Sequence, residues 1–320
     1  MKANHNLRGA FLSLMSMGLY STHDAIVKVL GVTFTPMQIV FFSALLSFPL
    51  LVVVLLRDQS GGSLRPKNPG WVAVRTLSFV ATAVLAFYAF ATLPFAQTYA
   101  ILFATPLLVT VLSIPILGEK VRARRWTAVI VGLVGVMIVL RPTGAPLALG
   151  HLAALVSALA GALAVLSVRK VGDSERPVVL LLYPILANIA IMGATLPLVY
   201  RPMSGLDLGL MAIIAVLGLG GTLLSILAYR SADAGVVAPM QYSQILWAIL
   251  YGALFFNEWP DKQTLIGATV VIASGLYILM REASPGRSAT RPATDASPRS
   301  DLPTQPRPRL IQRLLSGGDE

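Results

Sequence analysis

Residues 93–143 read LPFAQTYAILFATPLLVTVLSIPILGEKVRARRWTAVIVGLVGVMIVLRPT. This is an apolar helix, a tight polar corner (GEKVRARR) and a second apolar helix. The pattern returns at residues 232–282 as ADAGVVAPMQYSQILWAILYGALFFNEWPDKQTLIGATVVIASGLYILMRE. Glu119 falls on Glu258 at an offset of 139 residues, and no gap is needed between the copies. Gly9 and Lys28 fall on Gly150 and Arg169 at an offset of 141, so the early helices repeat as well. One duplicated unit set in lipid organises the whole reading.

Composition agrees. Of the 320 residues, 56% are hydrophobic and only 12% are charged, against about 25% charged in a typical soluble domain. The apolar residues come in blocks near the roughly 20 needed to cross a bilayer core. Cysteine is absent, which removes disulfides, thiolate nucleophiles and cysteine-ligated metals together. The net charge of +11 would favour nucleic acid in a soluble protein. Here the basic residues sit in short loops and a tail, so they report orientation in the membrane and no nucleic-acid partner is expected. Lys2, Arg8 and the apolar run from Gly9 resemble a signal peptide. No small-residue cleavage site closes the run, which continues to Leu30, so an uncleaved first helix is expected.

Ten apolar segments follow one another: 9–31, 36–56, 71–92, 96–117, 126–140, 150–168, 178–200, 208–229, 236–256 and 264–280. The fold expected is an all-α polytopic membrane protein, ten transmembrane helices arranged as two inverted five-helix repeats. The first repeat covers 1–142, the second 143–282, and a disordered tail 283–320. Lysine and arginine set the orientation. One side collects Lys2, Arg8, Arg57, Arg65, Lys67, Lys120, Arg122, Arg124, Arg125, Arg169, Lys170, Arg176, Arg230 and the tail; the other holds Arg141, Arg201 and Lys262. Both termini are therefore expected in the cytoplasm, with the protein in a bacterial inner (plasma) membrane. Five helices separate the copies. Five is odd, so the two corners must face opposite sides. Inverted repeats mark secondary transporters whose site lies between the halves.

Ten helices, the inverted repeat, the proline-containing fourth helix ending in LGEKV, the VVAPMQYSQILWAILYGALFFNEWPD copy and the STHDAIVK segment together resemble the EamA-type carriers of the drug/metabolite transporter superfamily. The resemblance spans about residues 7–282. It implies a central cavity between the halves, a small-molecule solute and no prosthetic group or metal. The family includes carriers of amino acids, nucleotide-like metabolites, flavins and other solutes. The second corner departs from the pattern: NEWPD has Asn257 where glycine usually precedes the glutamate, which puts that turn in question.

Polar groups at membrane depth are functional candidates by default. Asp24 is the expected proton-coupling group, with His23 able to share the proton. The structural alternative is an i,i+4 pair between Asp24 and Lys28, with Lys28 also free to snorkel. Arg75 either reaches the inner interface or meets an anionic group on the solute. Gln241, Gln244, Trp247 and Tyr251 share one broad face of the ninth helix, bordered by Tyr242. The fourth helix offers Gln97, Tyr99 and Phe103, and Phe103 falls on Tyr242 at the 139 offset. Amides among aromatics suit a solute with polar edges and a flat apolar body. Pro106 and Pro239 should break their helices. Glu119 and Glu258 read as structural corners placed at the positive ends of the fifth and tenth helices, with a gate as the alternative. The Gly218–Gly221 run lacks phosphate-loop context and reads as packing.

The function expected is secondary transport of a small organic metabolite (amino-acid, nucleoside-like or flavin-like) by alternating access, coupled to protons or to exchange and independent of ATP. The rivals are an intramembrane lipid-modifying enzyme and a non-transporting scaffold or sensor. A homodimer is the assembly left open.

Overall fold

The computed structural model describes residues 2–56, 63–119, 121, 123–140, 148–171, 174–232 and 234–282. The tail from 283, Lys120 and the repeat boundary at 143 lie outside them. The described residues form α1 (Lys2–Gly31), α2 (Pro36–Leu56), α3 (Pro69–Thr92), α4 (Phe95–Leu102), α5 (Thr105–Leu117), α6 (Ala123–Leu140), α7 (Leu149–Val171), α8 (Pro177–Val199), α9 (Gly205–Ser231), α10 (Ala234–Val237), α11 (Gln244–Phe255) and α12 (Lys262–Glu282). A 3₁₀ segment, Ala238–Ser243, links α10 to α11. Taken as crossings these are ten, because α4–α5 and α10–α11 each make one. Among the described residues, seven segments are long and apolar enough to span a bilayer. α1 is less apolar, since it carries His23, Asp24, Lys28 and several serines.

Prolines shape the broken crossings. Pro106 cannot donate to the Leu102 carbonyl, and the chain tightens at Phe103–Ala104. Thr105 Oγ1 takes over as donor to Leu102 O at 2.8 Å, the substitution a lipid interior demands. In the ninth crossing the break is the 3₁₀ segment itself, with Pro239 near its start. The prolines are not at matching positions, yet Phe103–Ala104 falls on residues 242–243 at the 139 offset, so the two breaks overlap.

The corners are also alike. Gly118 closes α5 in the left-handed conformation at φ 73, with its N–H on Ile114 O at 3.0 Å. Asn257, its counterpart, adopts φ 52. Asparagine tolerates this region better than other side chains, so the NEWPD departure leaves the turn intact. Glu119 N–H bonds Ser113 O at 3.4 Å, and Glu258 N–H bonds Gly252 O at 2.8 Å.

The halves interleave. α1 packs along α9, α3 along α7, α6 along α12, α2 against α8 and α4 against α11. Small residues permit the close approaches. A Cβ on Gly135 would lie 2.9 Å from Gly267 O and from the Val271 side chain. A Cβ on Gly221 would lie 2.8 Å from the Tyr20 ring. The Gly218–Gly221 run is thus a seat for α1, as its packing reading expects.

Candidate functional site

α1 packs against several helices at once, α9, α3 and α11 among them. Ser16 donates to Gly221 O on α9 at 2.6 Å, and Tyr20 hydrogen-bonds Thr222 at 3.3 Å. Gly18 and Thr22 face α11. The Trp247 indole lies 3.2 Å from where a Gly18 Cβ would be, and Thr22 Oγ1 hydrogen-bonds the Tyr251 hydroxyl at 2.9 Å. Asp24 and Ser21 face α4.

Asp24 and His23 are each 3% exposed. His23 Nδ1 lies 2.8 Å from Asp24 Oδ1, and the Tyr99 hydroxyl of α4 donates to Asp24 Oδ2. His23 also sets its ring edge-on to Phe87 of α3, 5.9 Å between centroids. Three of the residues chosen from sequence therefore form one cluster: a buried acid, a base one position before it and a phenol from another helix. That cluster can hold and pass a proton. Lys28 takes no part in it. Its ammonium pairs with Glu258 at 2.9 Å and donates to Leu93 O at 2.6 Å. Neither the Asp24–Lys28 pair nor snorkelling describes it, because the partly buried carboxylate and the loop carbonyl between α3 and α4 solvate the charge.

Glu258 corrects a second expectation. Its Oε2 accepts from Phe95 N–H at 2.8 Å, so it caps α4, not the helix that follows it. Asp261 caps α12 through Thr264 N–H at 2.8 Å. Glu119 likewise pairs with Arg169 of α7.

The second cluster lies where both broken crossings meet. Phe103 and Tyr242 stand edge to face, 5.2 Å between centroids. Gln241 and Gln244 are buried at 6% and 2% exposure. Among the described residues, Tyr242 Oη, Ser243 Oγ, Gln244 Nε2 and Trp247 Nε1 are buried with no hydrogen-bond partner. Such groups are few in native structures and each calls for an explanation. Aromatic walls continue through Trp247 and Tyr251, 6.0 Å apart.

Two chosen residues lie elsewhere. Gln97 Nε2 lies 3.1 Å from His151 Nε2 and donates to Val139 O at 3.3 Å. It lines a cavity of about 70 Å³ shared with Ala248, Glu258 and Trp259, room for a few waters. Arg75 is 2% exposed and does not reach the interface. Its Nε donates to Leu180 O at 3.0 Å and its Nη1 to Ala164 O at 3.3 Å. Leu180 O would normally accept from residue 184, which is proline. Arg75 thus replaces the missing donor, with Nη2 left unpartnered. Sequence reading passed over His151, Gly18 and the Arg75–Pro184 relation. Of these only the last had a local signal, a helical proline in search of a donor.

The model of the EamA-like transporter family matches residues 7–141 and again 148–280. An S-adenosylmethionine uptake transporter of Rickettsia bellii is 25% identical over 84% of this chain and 92% of its own length. A pseudopaline exporter of Pseudomonas aeruginosa is 27% identical over 83% and 94%. A riboflavin transporter of Rhizobium johnstonii is 28% identical over 58% and 62%. One solved crystal structure, 17% identical, superimposes with a TM-score of 0.56 over 86% of this chain and 96% of the other, a likeness of fold.

Proposed function

The chain belongs to the EamA-like transporter family, and from that premise we propose that it is a secondary carrier of a small organic metabolite, working by alternating access between two inverted halves. Support for the inversion lies in contacts that survive exchange of the halves. Ser16 donates to Gly221 O, and its counterpart Ser157 donates to Thr82 O at 3.0 Å. Tyr20 packs on Gly221, and Gly161 packs on Thr82. Gly9 meets Ala232, and Gly150 meets Leu93. Phe103 and Tyr242 are counterparts that touch each other, which residues related by a two-fold do only near its axis.

The observation that carries the reading is the set of unpartnered polar groups around Tyr242–Trp247, beside that axis and walled by aromatic rings. A solute with a flat ring and polar edges would satisfy Gln244 Nε2 and Trp247 Nε1 while stacking on the walls. Gln241 and Tyr242 border the same place. Gln97 and Arg75 stand apart from it. Relatives named for S-adenosylmethionine and riboflavin make fused heteroaromatic solutes the first to try. Asp24, with His23 and Tyr99, is the coupling group. We place the protein in a bacterial inner membrane with both termini inside, on the asymmetry of its basic loops.

The test is solute flux into liposomes, run in both directions because relatives are named for uptake and for export. Wild-type flux should follow an imposed pH gradient, and Asp24→Asn, which keeps the shape and an acceptor for Tyr99, should not respond to it. A thermal-shift screen precedes it, since a true substrate raises the melting temperature by mass action. No flux and no shift across amino acids, nucleosides, flavins and S-adenosylmethionine would leave the scaffold reading standing.

A further inference from the structure

Among the described residues, two ion pairs that join the halves match each other. Lys28 of α1 pairs with Glu258 of the α11–α12 corner at 2.9 Å, and Arg169 of α7 pairs with Glu119 of the α5–α6 corner. Arg169 is the counterpart of Lys28, and Glu119 of Glu258. The second pair is therefore the first with the halves exchanged. Each runs from one half to the other, and each is partly buried, with side chains 9% and 28% exposed in one and 17% and 14% in the other.

The pairs lie at opposite ends of the bundle. Lys28 donates to Leu93 O at 2.6 Å, and Gly150 at the start of α7 packs on the Leu93 side chain. Arg169 is nineteen residues further along α7, about 28 Å away at 1.5 Å per residue. A different contact to the backbone reinforces each end. Glu258 also accepts from Phe95 N–H at 2.8 Å, while Lys170, next to Arg169, donates to Ile116 O at 2.9 Å beside the Glu119 corner.

We infer that these pairs are the two latches of the transport cycle, Lys28–Glu258 closing one face and Arg169–Glu119 the other, and that opening a face breaks its own pair while the opposite pair holds. This rests on the carrier reading above. Both pairs are made here. A charged pair suits the task because its partners are solvated by water once the face opens and by each other once it shuts. Duplication accounts for the recurrence; what sets these pairs apart from the exchanged packing contacts is that each joins the halves through opposite charges at one end of the bundle.

Spin-label distances test this without any substrate. The chain has no cysteine, so paired labels need no background substitutions. Val32→Cys with Trp259→Cys spans the interface beside the first pair, at positions 82% and 75% exposed. Arg124→Cys with Ser174→Cys, both exposed, spans it beside the second. Glu258→Gln should shift the first distance to longer values and leave the second at its wild-type value. Glu119→Gln should do the reverse. Lys28→Met should act like Glu258→Gln, and Lys28→Arg should keep the wild-type distance. In each variant the undisturbed end reports that the protein is folded. Two unchanged distances in both glutamine variants, or a shift of the same end in both, would overturn the latches. Flux is not read in this experiment, so its outcome is separable from that of the transport assay.

Discussion

Asp24 shows how much one buried carboxylate depends on its neighbours. It is 3% exposed and is held by His23 and by the Tyr99 hydroxyl. Removing one partner of a buried hydrogen bond costs about 1–3 kcal/mol. Tyr99→Phe should lose stability of about that size in a detergent melt, and should change the pH dependence of flux where a distant core substitution would not. Gly18 makes a different argument. Its missing side chain leaves room for the Trp247 indole, 3.2 Å from the position of a Cβ. Gly18→Val overfills that contact, at a cost of about 1–3 kcal/mol. It should also weaken ligand-induced thermal shifts, because Trp247 Nε1 moves with its ring.

At the scale of elements, the two corners invite a matched comparison. Gly118 has open space around it and φ 73, while Asn257 sits at φ 52. Gly118→Ala should destabilise by about 1 kcal/mol through backbone strain alone, and Asn257→Gly should be neutral or slightly stabilising. Melting curves of the two variants decide it. The helix pairs invite another comparison. Ser16 and Ser157 make exchanged hydrogen bonds across α1–α9 and α7–α3. Ser16→Ala and Ser157→Ala should each lose about 1 kcal/mol. The double variant should lose the sum, since the pairs share no partner. A loss confined to one of them would show that the two interfaces differ in strength despite their common ancestry.

For the whole molecule, the strongest expectation is opposite exposure of the two corners. Arg124 and Lys262 are both exposed. In otherwise cysteine-free chains, Arg124→Cys should react with an impermeant maleimide only after permeabilisation, and Lys262→Cys should react in intact cells. Labelling of both from one side would remove the inversion, and with it alternating access between exchanged halves. The same duplication explains how the site was partly legible beforehand. The 139 offset placed Phe103 on Tyr242 and Glu119 on Glu258, and the 141 offset placed Lys28 on Arg169. What the offsets could not say is that the first two touch each other, or that the last four are partners. Correspondence between copies is a relation along the chain, whereas contact between them depends on how the copies pack.

Hydropathy, the positions of proline and glycine and the basic loops were enough to determine ten crossings, the breaks in two of them and the polar residues among their apolar neighbours. Those features are local, because lipid obliges each helix to satisfy its own backbone and to show apolar groups outward. Only the tertiary structure decided which polar group answers which. It moved Lys28 from Asp24 to Glu258, gave Asp24 to Tyr99, and turned Arg75 toward the carbonyl left bare by Pro184. A buried charge is stabilised by whatever donor or acceptor the packing brings within about 3 Å, and these partners come from helices far apart in the chain.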